Sequence, residues 1–331
     1  MELVGGTGDV TRIVCLGEAM LELSQMGEPG GVPADTAWRM GYGGDTLNTA
    51  IHLARFGHDV AYMTALGTDG LSGDLVEKWQ AQGLDCSLVL RHPTRQPGLY
   101  AIATDDAGER TFSYWRDTSA ARALFEGGPV MGEALARARA EVGGADLLSF
   151  SLISLAILPE TGREAMLDLA RDVRAKGGKV ALDGNYRARL WDDAATARHW
   201  RDAAIAVADF GLPTLEDEAQ ISGEDTAEAV AAHWQELGCG ETVVKLGAQG
   251  CRLADGTLLA PPQRLDPVDT SGAGDAFNAG YLAGRLRGIG PASSAAAGHA
   301  IAGWVIMRRG AIPDRDHGAP YGAPAAAAPS G

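Results

Sequence analysis

Six short apolar runs are spread along this chain, at Arg12–Leu16, Val60–Leu66, Leu147–Phe150, Val180–Asp183, Asp209–Leu212 and Thr242–Leu246, each bounded by Gly, Asp or Pro. Between them apolar residues fall at helical spacing, as in Leu47, Ile51 and Ala54, or from Ala165 through Leu167 and Leu169 to Val173. This alternation predicts a mainly parallel sheet with helices on both faces. A length of 331 residues suits one such α/β unit, and 46% apolar residues supply its core.

Two segments break the rhythm. Glu18–Trp38 and Pro97–Trp115 lack helical period and hold short alternating runs, Leu99–Ala103 and Thr111–Trp115. Asp105 to Glu109 between those runs is a hairpin-turn signal. These segments, about 18–40 and 96–116, predict a small β layer beside the main sheet, either a lid or an edge extension. The Gly-rich start, 1–11, and the Ala, Pro and Gly tail from His317 predict unstructured ends around a folded unit of 12–313.

The formal charge of −15 repels phosphate backbones and anionic lipid, which argues against nucleic-acid and membrane partners. No apolar run reaches the length of a membrane span. The start lacks a basic stretch followed by an apolar one, so no secretory signal is expected. Cys15, Cys86, Cys239 and Cys251 are scattered without a CxxC pair, which argues against disulfides and zinc and fits a reduced, cytoplasmic setting. An acidic chain that binds an anion must do so with local cations and backbone N–H groups.

One such place is Asp269-Thr270-Ser271-Gly272-Ala273-Gly274-Asp275-Ala276-Phe277, which runs into an apolar helical pattern through Ala279, Gly280, Leu282, Ala283 and Leu286. Small residues opening a helix expose unpaired N–H groups at the positive end of its dipole, an anion site without side-chain charge. Asp275 would compete with an anion there if it were only a cap. As a general base taking a proton from a hydroxyl it has a use. Gly272 to Asp275 alone could be an ordinary turn; the whole string is harder to explain that way. A second run, Gly43-Gly44-Asp45-Thr46-Leu47-Asn48-Thr49-Ala50, combines glycines that permit close approach with the acceptor Asp45 and the two-way amide Asn48, as polyol recognition needs. In isolation an N-cap before an amphipathic helix explains it equally well.

In this order and spacing the two runs resemble the two signatures of the PfkB family of carbohydrate kinases. The resemblance implies a ribokinase-like three-layer α/β fold with a β-sheet lid, and ATP with Mg²⁺ as cofactors, together with a monovalent cation. It implies Asp275 as base and an anion hole from Gly272, Ala273 and Gly274. Further strings are similar to the 2-keto-3-deoxygluconate kinases of that family: Gly17 to Ser24, Pro97 to Tyr100, Gly108 to Phe112 with Tyr114 to Arg116, Ser154 to Leu158, Asp183 to Arg187, and Arg189 to Trp191. That likeness runs from about Ile13 to Ile312. It implies a pocket for an acidic sugar built from Gly43, Gly44, Asp45, Asn48, Tyr100, Tyr114, Arg116, Arg187 and Asp275.

The substrate's carboxylate makes arginine the apt partner, since a guanidinium binds it as a two-pronged fork. Arg116 falls at the end of a lid strand, and Arg187 follows a strand end, where ligands sit in open α/β sheets. The same resemblance implies nucleotide contacts from Asn185, Arg187, Lys245, Gly247, Ala248, Gly250, Gly272, Gly274 and His299. His299 as a packed residue is an equal alternative. Leu246 and Leu215 depart from the family, which usually has Arg and Asn there. Glu218 is left to act on Mg²⁺ indirectly, through water. Self-association, with a dimer formed through the lid, is implied too. A kinase of fructose, ribose or the galactonate-derived epimer is the alternative reading. A catalytically silent sugar-binding relative is another, against which the intact Asp275 and its glycines argue.

Overall fold

Strands covered on both faces need apolar side chains at nearly every position, and the central strands here have them. The computed structural model describes residues 11–25, 37–104 and 110–322. Its strands are β1 (Arg12–Leu16), β2 (Met20–Gln25), β3 (Trp38–Gly43), β4 (Asp59–Leu66), β5 (Val89–Arg91), β6 (Gly98–Thr104), β7 (Arg110–Trp115), β8 (Leu147–Ser151), β9 (Lys179–Asp183), β10 (Phe210–Leu212), β11 (Glu241–Thr242), β12 (Val244–Lys245), β13 (Cys251–Arg252) and β14 (Leu258–Leu259). Its α-helices are α1 (Asp45–Arg55), α2 (Gly70–Ala81), α3 (Gly128–Val142), α4 (Leu152–Ala156), α5 (Glu160–Ala175), α6 (Ala194–Ile205), α7 (Leu215–Ile221), α8 (Ala227–Glu236), α9 (Ala273–Leu286) and α10 (Pro291–Ile306).

Seven strands form one parallel sheet in the order β11-β10-β9-β8-β1-β4-β5. Side chains alternate along each strand between two cores. Val14, Leu16, Met63, Phe150 and Leu182 face α3, α5, α6 and α8, whereas Ile13, Cys15, Tyr62, Leu147 and Ala181 face α1, α2, α9 and α10. The result is three layers. The strand order reverses between β1 and β8, so a crevice opens at the carboxyl ends of these strands, where open α/β sheets bind ligands.

The two segments without helical period supply a separate four-stranded sheet, β3-β2-β6-β7, with β2 and β6 parallel and the other pairs antiparallel. The hairpin turn expected at 105–109 lies outside the described residues. One face carries Glu22, Tyr100 and Tyr114 in register; the other carries Met40, Leu23 and Ala101.

Helices α9 and α10 pack with almost nothing between them. A Cβ added at Gly280 would lie 2.8 Å from Gly298 Cα, and one at Gly284 would lie 2.5 Å from Ser294 Oγ. The seam therefore fixes the height and tilt of α9.

Two expectations need correction. Thr242–Leu246 is not one strand: Glu241–Thr242 ends the parallel sheet, and Val244–Lys245 pairs antiparallel with Cys251–Arg252 in a three-stranded sheet. The folded unit also extends past 313. Tyr321 is buried, its ring packed against Phe56 and Trp304, and its hydroxyl meets His52 Nδ1 at 2.7 Å and Arg55 Nη1 at 3.2 Å. One aromatic side chain anchors a stretch otherwise too small and polar to pack. Residues 1–10 and 323–331 lie outside the described ones.

Replacing Tyr321 by Ala removes a buried aromatic and should cost about 3–5 kcal/mol of stability. Tyr321→Phe keeps the ring, orphans the two hydroxyl contacts, and should cost about 1–2 kcal/mol. Urea midpoints of the two variants check this ordering, and a midpoint unchanged in Tyr321→Ala would place the tail outside the fold.

Candidate active site

The site is assembled where β1, β8, β9 and the first turns of α1 and α9 meet. Past β1 the chain reaches Glu18, and α1 begins hard against it: a Cβ at Gly44 would stand 2.3 Å from the Glu18 carbonyl oxygen, and one at Gly43 would stand 2.5 Å from the Tyr100 hydroxyl. Only glycines allow this approach. Asp45 then accepts the Thr46 N–H at 2.8 Å and the Asn185 amide at 3.2 Å. One turn on, Asn48 donates from Nδ2 to Asp275 Oδ2 at 2.7 Å. Its Oδ1 is buried and has no hydrogen-bond partner among the described residues.

Asp275 sits in the first turn of α9. Gly272 before it takes a left-handed conformation, φ 72°, and packs on Ala311. Gly274 is exposed; the Ala273 N–H meets the Thr270 carbonyl at 3.3 Å, and the N–H groups of Gly274 and Asp275 have no carbonyl a turn earlier in the helix to bind, at its positive end. Burial raises the Asp275 pKa well above the ordinary carboxylate value; Asp45 and Asp183 add to the rise, and the Asn48 amide and Lys245 oppose it. Lys245 is buried, donating to Asp183 Oδ1 at 2.9 Å and Asn278 Oδ1 at 3.1 Å. Its Nζ would lie 3.7 Å from a Cβ at Gly274, which puts this cation beside the open helix end.

Above this floor, a cavity of about 370 Å³ runs under the inner face of the four-stranded sheet. Gly43, Gly44, Asn48, Tyr100 and Tyr114 line it together with Gly272. The Tyr100 and Tyr114 rings stack at 5.9 Å, and the Tyr100 hydroxyl donates to Glu22.

Other expected residues are placed differently. Arg116 is buried, outside the cavity lining, and paired with Glu18, which also accepts the Ser119 hydroxyl at 2.5 Å. It is therefore half of a neutral buried pair and not an open fork. Arg187 is 46% exposed, beside Asp217 at 3.4 Å. Gly247 and Ala248 are exposed in a short 3-10 turn after β12, and Gly250 is buried against Leu259. His299 has a packed residue's contacts: Nε2 meets the Leu259 carbonyl at 3.1 Å and Cys251 Sγ at 3.6 Å, and the ring leans on Phe277. Burial pushes its pKa down, which keeps it neutral.

Glu218 corrects the expectation most clearly. Its side chain is fully buried, bonded to Arg201 at 2.8 Å, and burial raises its pKa to about 7. Asp217, one position earlier, faces Asp183, Lys245 and Arg187, and burial raises its pKa to about 6. Leu215, Glu218 and Ile221 share one side of α7 at spacing three, and two of them are apolar, so the sequence did hold a sign that Glu218 turns inward. Among the described residues no group of three or more His, Cys, Asp or Glu is arranged to hold a metal. Asp217, and Arg39 and Arg309 in the cavity lining, are polar residues of this region that the motifs did not single out.

Comparison with known proteins gives concordant results. Residues 10–317 match a family model described as pfkB family carbohydrate kinase. The chain is similar to the 2-dehydro-3-deoxygluconokinase of Escherichia coli, 41% identical with 92% of this chain and 98% of that protein covered. It is also 40% identical to the enzyme of that name from Dickeya dadantii, covering 91% and 96%. Among solved structures, a PfkB protein from a Polaromonas species superposes with a TM-score of 0.74 at 29% identity, covering 90% of this chain and 96% of that one. A fructokinase with bound ATP from Xylella fastidiosa shares the fold, with a TM-score of 0.75 at 22% identity and coverage of 91% and 93%.

The electrostatics yield a sign test on Asp275. Its carboxyl should titrate above the ordinary value of about 3.9 for Asp. Asp45→Asn removes a like charge and should lower that titration, whereas Lys245→Met removes a cation and should raise it. Carboxyl-carbon NMR of the three proteins checks both directions, and opposite shifts would refute this account of the site.

Proposed function

The chain belongs to the pfkB family of carbohydrate kinases, and from that premise we propose that it transfers the γ-phosphoryl group of ATP to the 6-hydroxyl of 2-dehydro-3-deoxygluconate, the acid also called 2-keto-3-deoxygluconate. The sugar assignment rests on relatives at 37–41% identity that carry that name and align over nearly the whole chain. The chemistry rests on one observation above all: a buried carboxylate of raised pKa, oriented by Asn48, sits in the open first turn of α9.

In this reading Asp275 accepts the proton of the attacking hydroxyl. The N–H groups at Gly272, Ala273 and Gly274 receive the charge that develops on the transferred phosphoryl group. Lys245 stands beside the same turn. Asp45 and Asn48, with Gly43, Gly44, Tyr100 and Tyr114, orient the sugar. ATP lies along Asn185, Arg187 and the turn at Gly247. The residues present fit Mg²⁺ held mainly by phosphate and water, with Asp183 and Asp217 facing that end. A bound Mg²⁺ would neutralise charge on the phosphates and on these carboxylates. Arg39 and Arg309 line the cavity and are the cations available to the sugar's carboxylate in this reading, whereas Arg187 stands beside Asp217 and Arg116 is matched by Glu18.

A monovalent cation belongs to the proposal as what the family resemblance implies. So does a cytoplasmic site of action, supported by four free cysteines. No helix among the described residues is long and apolar enough to cross a membrane. The outer face of the four-stranded sheet exposes Trp38, Met40 and Trp115, and we assign it to pairing with a second copy.

ADP release should be rapid with 2-dehydro-3-deoxygluconate and ATP, and slow with fructose or ribose; equal rates would reduce the assignment to an unspecified sugar kinase. Asp275→Asn should lower turnover by about a hundred- to ten-thousand-fold while nucleotide affinity stays within severalfold. Near-normal turnover in that variant would end the general-base role. Trp115→Glu should shift sedimentation from dimer to monomer, and a monomeric wild type would remove the pairing.

A further inference from the structure

The segment that leaves β9 carries two arginines toward the site, and they have different partners. Arg187 meets Asp217. Arg189, in the short 3-10 turn Ala188–Leu190, lies over the ring of Tyr114 with its guanidinium carbon 3.7 Å from the centroid, closer than Arg308 lies over Trp304 at 4.3 Å. It is exposed and has no carboxylate partner among the described residues. The turn itself is fixed to the main body, because Leu190 packs on the core and Trp191 is buried under Arg163.

We propose that Arg189 is a positioning residue for the sugar: it fixes the small sheet over the cavity by clamping the Tyr114 ring. The proposal rests on the reading of that cavity as the sugar site. A cation over an aromatic face is attracted by the ring's quadrupole, and arginine also stacks flat on it. Tyr114 stacks in turn on Tyr100, whose hydroxyl bonds to Glu22 and lies against Gly43. The path from Arg189 therefore runs from the carboxyl end of β9, through two rings, to the backbone that opens α1. Asp275 and Asn48 lie on α9 and α1 and do not touch it. Losing the clamp should loosen sugar binding and leave proton transfer intact.

The test combines kinetics with amide exchange on the full chain. Arg189→Ala should raise KM for 2-dehydro-3-deoxygluconate about fivefold, with kcat and KM for ATP nearly unchanged. Arg189→Lys should recover part of the loss. In a Tyr114→Phe background, which keeps the ring, Arg189→Ala should cost the same factor; in Tyr114→Leu it should cost nothing further. Without any substrate, Arg189→Ala should speed amide exchange in β6 and β7 and leave α10 unchanged. An effect that persists in Tyr114→Leu, an equal rise in KM for ATP, or unaltered exchange in β7 would each overturn the proposal. A wild type inactive on this sugar would overturn the substrate reading alone, because the exchange experiment needs no sugar.

Discussion

Four carboxylates crowd the carboxyl edge of the parallel sheet, and the site depends on how their charge is held. Asp45, Asp183 and Asp275 act on one another, Asp183 acts also on Asp217, and burial raises the pKa of Asp45, Asp217 and Asp275. The buried Lys245 sits among them, bonded to Asp183, and the buried Arg116 acts on Asp45. Amides supply the rest, Asn48 to Asp275 and Asn185 to Asp45. Such a cluster is stable only if every partner arrives in register. The cluster draws on β9, β12, α1, α7 and α9, so the sheet order and the packing of these helices are conditions of the proposed chemistry. The cluster also suits its ligand, since nucleotide phosphates bring metal ions that neutralise carboxylates.

The central strands were legible in the sequence because a strand covered on both faces is an unbroken apolar run. Arg12–Leu16 was read to its ends, and β4, β8, β9 and β10 to within a residue. The edge was less legible. At Thr242–Leu246 the chain leaves one sheet for another, and an apolar run says nothing about which neighbour its backbone bonds to. Tyr321 escaped notice because a single aromatic in an Ala, Pro and Gly tail has no period.

Within the site, Gly43, Gly44, Asn48, Gly272 and Asp275 were readable as local strings, each short enough that its backbone geometry follows from its residues. The failures involve partners far apart in the chain. Arg116 carries a charge that a carboxylate could use, but Glu18, 98 positions away, has already matched it. Glu218 kept its family position while Arg201 took its side chain, and Asp217 turned toward the crevice instead. Motifs report which residue types are present; burial decides which are free to act.

The contact of α9 with α10 at Gly280 and Gly298 has a consequence for variation in this enzyme. Asp275 lies five positions before Gly280 on one rigid helix, about 7.5 Å along its axis. A methyl group at 280 would push the helix outward, and Asp275 would travel with it. A displacement of about 1 Å can cost two orders of magnitude in rate. With Asp275 in its proposed role, the gap between these helices is a catalytic dimension. A library that preserves every polar side chain of the site and diversifies this seam should still collect inactive enzymes, and revertants should map to α10.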